Sequence, residues 1–204
     1  MFGVSDYGAF VAAFVLLLFL PGPGNLALIT STSQGQLAGG VASVLGLLVG
    51  DQILLWMTVA GVAALLQTYP TMFAAMQWAG AAYLAWLGWK MVMAKPGEGP
   101  RINIKPGKYF RDTMVITLFN PKAIMFYFAF FPQFIDPVHH QGWLTFGFMA
   151  ATIAVLGFAY CMGVVLITHY MAERIRANST LSGVLQKLAG ICLIGFGVKL
   201  ALSK

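Results

Sequence analysis

From Tyr7 to Gly50 the chain carries no Asp, Glu, Lys, Arg or His side chain. A soluble domain cannot hide so long an uncharged stretch, and this one could not clothe itself elsewhere, because 59% of its 204 residues are hydrophobic and only 9% are charged. Apolar runs of roughly 20 residues recur along the sequence, the length that crosses a hydrocarbon core about 30 Å thick at 1.5 Å per helical residue. The reading is an integral membrane protein. The first run is expected to stay as a span rather than be cleaved as a signal peptide: no Lys or Arg precedes it, Asp6 stands there instead, and the run continues past any cleavage point.

Apolar length and punctuation predict six helical spans, near Tyr7 to Ser33, Gly39 to Leu66, Pro70 to Met93, Thr113 to Ile135, Trp143 to Tyr170 and Gly183 to Leu202. The last requires Lys187 and Lys199 to snorkel to opposite interfaces. One long connection, Ala94 to Asp112, is rich in Pro, Gly and charge. It divides the chain into a three-helix repeat over residues 1–93, a basic cytoplasmic linker over 94–112 and a second three-helix repeat over 113–204. Of the 12 Lys and Arg residues, most lie in this linker or after span five, so the positive-inside rule puts both termini outside and the central loop in the cytoplasm. The net charge of +6 is thereby read as topology and contact with anionic lipid, with no nucleic-acid partner.

Three spans per half is an odd number, so the second half runs through the bilayer in the opposite sense, as in inverted-repeat transporters. Each half also interrupts its first span. "PGPGN", Pro21 to Asn25, is answered by "FNPKA", Phe119 to Ala123. A broken span frees NH and C=O groups that lipid cannot satisfy, so each break must face protein or a watery cavity. Half-helix N-termini hold anions. Gly22 and Gly24 permit close backbone approach beside Pro23, and Asn25 adds a side chain that donates and accepts. In the second half the corresponding residues are Asn120, Pro121 and Lys122.

Asp51 lies some 12 residues into span two, about 18 Å deep. A charge there costs at least about 3 kcal/mol, which marks the residue as functional, holding a substrate cation or carrying a proton. Ala38, Ala42, Gly46 and Gly50 form a ridge of small residues that lets a neighbouring helix pack beside it and that also permits a homodimer. Lys122, about 13 Å from the cytoplasmic face, either faces the same cavity or snorkels to the interface. An acid, a base and two helix breaks suit a small zwitterion: ammonium toward Asp51 and freed carbonyls, carboxylate toward helix N-termini and Lys122.

With "PGPGN", "GLLVGD", "AYLAWLGW" and "NPKAIMFYFAFFPQF" in spans one to four, the chain resembles the lysine/homoserine exporter (LysE/RhtB) family over nearly its whole length. The resemblance implies an inner-membrane carrier that expels amino acids or close derivatives, driven by protons, of the homoserine/threonine type, with no cofactor. The family's motif positions carry over to Pro21, Gly22, Pro23, Asn25, Gly50, Asp51, Asn120, Pro121 and Lys122. Gly24 is a departure, since many members read "PGPN" directly, and it shifts Asn25 by one position.

Other chemistries fare worse on these residues. An intramembrane aspartyl protease needs two carboxylates sharing a proton, and only Asp51 lies within a span. A transmembrane thiol-redox carrier needs a cysteine near each break, whereas Cys161 and Cys192 lie in spans five and six and read as packing residues. A metal-ion exporter would want more intramembrane carboxylates than one. His139 and His140 beside Asp136 fall in an outer loop, "NST" at Asn178 to Thr180 falls on the inner side, and the aromatic residues of Ala82 to Trp89, with Trp143, read as interface belt and packing.

Overall fold

The computed structural model describes residues 2–19, 22–68, 103–136 and 141–175, with single positions at 82, 86, 89, 93 and 191. Pro21, His139, His140, Cys192 and nearly all of predicted spans three and six lie outside the described residues. Apart from one isolated bridge between Val4 and Ile135, the regular structure described is helical. Helix α1 covers Tyr7–Phe19, α2 Pro23–Thr68, α3 Tyr109–Leu118 and α4 Pro121–Met125. Helix α4 runs on through a π turn (Phe126–Phe130) and a 3-10 turn (Phe131–Phe134), and α5 covers Trp143–Ile175.

Helix α2 is not one rod. At Gln36 the backbone takes φ 53° and ψ −153°, a combination uncommon for a residue with a side chain. On either side of it Gly24 faces Leu47, Gly39 faces the Ser31 carbonyl and Gly40 faces Thr32. In a straight helix residues eight apart stand about 12 Å from each other along the axis. The two arms, 23–35 and 37–68, therefore form an antiparallel hairpin that reverses at Gln36. The first arm completes the span begun by α1, which supplies the predicted interruption, and the second arm is predicted span two.

Among the described residues, two helices are long and apolar enough to cross a membrane, within Pro23–Gly61 and Trp143–Tyr170, or three if the pair Tyr109–Leu118 and Pro121–Phe134, bent by 50°, counts as one broken span. This last pair is predicted span four. Its helix starts at Tyr109, four residues before the expected Thr113. The cause is local: Gly107 turns the chain at φ 79°, and Asp112, in the first turn of α3, accepts the Lys105 backbone N–H at 3.0 Å. Helix α5 likewise outlasts its predicted end at Tyr170.

The two broken spans run antiparallel. At one end Ser5 N–H donates to the Phe134 carbonyl (2.9 Å) and Asp136 N–H to that of Gly3 (3.1 Å). At the other end Gly35 and Gly39 lie against the Tyr109 ring. Opposed directions and central interruptions bring the breaks to one level, where Gly22 meets the Lys122 side chain.

The predicted small-residue ridge acts as expected at two positions. A Cβ on Gly50 would come 2.8 Å from Thr117, and one on Gly46 would enter the Phe110 backbone, so α3 rides directly on α2. A Ser43–Thr113 hydroxyl pair at 2.6 Å lies in the same seam. Phe10, Phe14, Phe126, Tyr127, Phe131, Met149 and Ile153 belong to the larger of two buried apolar clusters among the described residues. Large apolar groups also face outward, among them Phe119, Val155, Trp86 and Trp89, the surface expected of a chain whose solvent is lipid.

Candidate functional site

One cavity lies where the two interruptions meet. It is lined by Phe14, Leu17 and Leu18 of α1, Gly24, Asn25, Leu47 and Asp51 of both α2 arms, Thr117 of α3, Asn120, Lys122 and Ala123 at the second break, and Cys161 of α5. About 40 Å³ is open to the centre of a water-sized sphere, several times the roughly 10–15 Å³ that a single water requires. The space therefore admits more than one water. Its wall divides into an apolar side (Phe14, Leu17, Leu18, Leu47) and a polar side (Asn25, Asp51, Thr117, Asn120, Lys122).

The breaks are built from their sequences. Pro23 and Pro121 each open a half-helix at N1, where a missing N–H costs nothing. Asn120, buried and extended at φ −76° and ψ 111°, is the N-cap of α4 and accepts the Lys122 backbone N–H at 3.1 Å. At the first break the cap is supplied from afar. The Lys122 ammonium donates to the Leu17 carbonyl at 3.0 Å, placing a cation at the C-terminal end of α1, where the helix dipole favours it. Asn25 Nδ2 donates to the Leu18 carbonyl and to the Tyr160 hydroxyl, each at 3.1 Å.

Asp51 sits on the 37–68 arm, 7% exposed, with Gly50 beside it pressed onto Thr117. Its carboxyl lies in the electrostatic reach of Lys122 and Tyr127. A charge buried at this depth is expensive to keep, and the cavity gives it access to something other than lipid.

Of the residues singled out from sequence, Gly24, Asn25, Asp51, Asn120 and Lys122 line this cavity. Gly22 lies next to it, 3.4 Å from Lys122 Nζ by its Cβ direction, so the group that approaches this glycine is the lysine. Pro23 shapes the backbone without lining the space, and Pro121 is exposed on the outside. Lys122 points inward to α1 rather than to the interface. Two carbonyls freed at the first break are already taken, by Lys122 and Asn25, which alters the expectation that they would receive a substrate ammonium.

Sequence reasoning overlooked Thr117, Tyr160 and the place of Cys161. Cys161, expected only as a packing residue of span five, reaches the cavity as a buried free thiol. Depth was the available signal, since Tyr160 and Cys161 fall at the middle of α5 and hence at the level of breaks that also lie midway along their spans. Among the described residues no group of three or more His, Cys, Asp or Glu side chains gathers as metal ligands would.

Comparison with known proteins identifies the family. The family model of the LysE type translocator matches residues 15–204. The leucine efflux protein of Salmonella typhimurium is 31% identical over 204 residues, covering 98% of this chain and 96% of the relative. That of Klebsiella pneumoniae is 29% identical with the same coverage, and an uncharacterized membrane protein of Pseudomonas aeruginosa is 30% identical over 209 residues, again covering 98% and 96%. No solved structure matches. A chain with membrane-spanning helices, two of its spans broken at a shared polar cavity, and a translocator match over almost its full length belongs to the LysE type translocator family, whose members are transporters and not enzymes.

Proposed function

We propose that this transporter exports small neutral amino acids across the bacterial inner membrane by alternating access, coupled to inward proton flow. The single observation supporting the reading is the cavity that gathers Asn25, Asp51, Asn120 and Lys122 between two interrupted helices. Its polar groups are of both signs, which suits a zwitterion, and a buried lone carboxyl is the group expected to exchange a proton or hold an ammonium. Six spans in two inverted halves, with both termini outside, supply the mechanical part: one half rocks against the other around a fixed site. The antiparallel course of the two broken spans supports that symmetry.

Two substrate classes fit the two walls. The homoserine/threonine class expected from the motifs would place its hydroxyl toward Thr117 and Asn120. A leucine-like class would lay an aliphatic side chain on Phe14, Leu17, Leu18 and Leu47, and the leucine efflux relatives favour that second class. Vesicles reconstituted with the purified protein and loaded with either amino acid separate the two by efflux rate. Under an imposed proton gradient the parent is expected to empty them faster than protein-free vesicles, and Asp51→Asn to abolish the gradient-driven part while inserting normally. Parental efflux from the Asn variant would remove Asp51 from the mechanism.

A further inference from the structure

Tyr127 is 1% exposed, and its hydroxyl completes no hydrogen bond with any described residue. Its ring packs edge-on to Phe126 at 5.3 Å between centroids and tilted against Phe131 at 6.4 Å, inside a cluster otherwise rich in phenylalanine. Phenylalanine would fill this site equally well. A buried hydroxyl without a partner opposes folding relative to the same ring without it. Tyr7 and Tyr160 do find partners, Thr152 at 3.3 Å and Asn25 at 3.1 Å. The Tyr127 hydroxyl therefore looks misplaced until its surroundings are considered.

The π turn packs on α2, and Tyr127 shares a buried cluster with Leu54 and Leu55, one turn beyond Asp51; its hydroxyl lies within reach of the Asp51 carboxyl without the distance and angle of a full hydrogen bond. The other titratable groups in this neighbourhood are Lys122 on α4 and Cys161 on α5. Tyr127 also belongs to the π turn Phe126–Phe130, closed by the Phe131 N–H onto the Phe126 carbonyl. Such turns interrupt the regular ladder, and they recur at functional sites. A donor on an irregular turn next to a lone acid can approach or withdraw through a small backbone adjustment.

We propose that Tyr127 is a positioning residue for Asp51: its hydroxyl donates to the charged carboxylate, and it stands aside when the acid is engaged from the cavity by a proton or a substrate ammonium. This rests on the proposed role of Asp51 in transport.

The test is Tyr127→Phe in reconstituted vesicles, with leucine and threonine as probes, Asp51→Asn as the reference variant and the melting temperature of the purified protein measured alongside. The expected result is a maximal efflux rate about tenfold or more below the parent, with a melting temperature equal to or above it, since a merely structural hydroxyl would not lower flux while leaving stability intact. Tyr127→Phe at parental flux beside an inactive Asp51→Asn overturns this inference and leaves the transport reading standing. Loss of flux that only tracks a lowered melting temperature overturns it too, assigning Tyr127 to packing. Parental flux in Asp51→Asn, or no flux of either probe in the parent, defeats the transport reading and this inference with it.

Discussion

At the second helix interruption the cap comes from next door, as Asn120 accepts the N–H of Lys122 two residues along. At the first, the Leu17 carbonyl is held by Lys122 from 105 residues away, and the Leu18 carbonyl by Asn25 from beyond the break. The second break can thus form from its own few residues, by a sequence that already says Asn-cap then proline. The first is completed only once the fourth span has docked and Lys122 reaches the Leu17 carbonyl. Lys122 belongs to one break by sequence and serves the other in space. On the proposed mechanism, any motion that separates the halves must exchange the Leu17 carbonyl for another acceptor, and a substrate carboxylate in the cavity is such an acceptor.

Four substitutions probe that contrast, in order of falling effect. Lys122→Met keeps the aliphatic stem but strips the charge, and should cost about 2 kcal/mol, since hydrogen bonds to charged groups are worth roughly 1.5–3 kcal/mol. Chemical unfolding in detergent micelles measures it, and transport should fall with it. A Met variant as stable as the parent would mean that the far-side cap carries no weight. Asn25→Ala removes the bonds to Leu18 and Tyr160 and should cost about 1–1.5 kcal/mol, near the upper values for interhelical bonds in membranes; the same unfolding series reads it.

Asn120→Ala should cost about 1 kcal/mol, and Asn120→Ser should recover most of it, as expected of a local N-cap. If Ser fails to rescue while Ala is severe, the second break is not self-sufficient and the contrast disappears. Gly22→Ala comes last. Its added methyl would stand 3.4 Å from Lys122 Nζ, ordinary contact with the end of a flexible side chain, so stability should move by less than about 0.5 kcal/mol. Combining it with Lys122→Met should give additive effects; strong coupling would show that the glycine is needed to seat the lysine.

Much of the site could be read from the chain because charge and interruption are conspicuous in an apolar run. Asp51 and Lys122 stand out where lipid penalises them, and Pro23 and Pro121 mark where helices must restart. Other members of the site carry no such mark. Thr117 and Cys161 are ordinary residues of membrane helices, and only the packing of α3 and α5 against α2 brings them to the cavity. The reversal at Gln36 was legible as a short link between two spans, but a turn made through a single glutamine at positive φ has no sequence signal, because the strain is offset by contacts made elsewhere.

The sequence by itself determined the solvent, the helical class, the places where two spans break and the residues too polar to face lipid, since each follows from transfer costs paid one residue at a time. The tertiary structure decided which groups satisfy the broken ends, that Lys122 turns inward to Leu17, and that Tyr127 is brought within reach of Asp51. Those outcomes depend on distances between residues up to about a hundred positions apart, and hydropathy and local propensity carry no information about such distances.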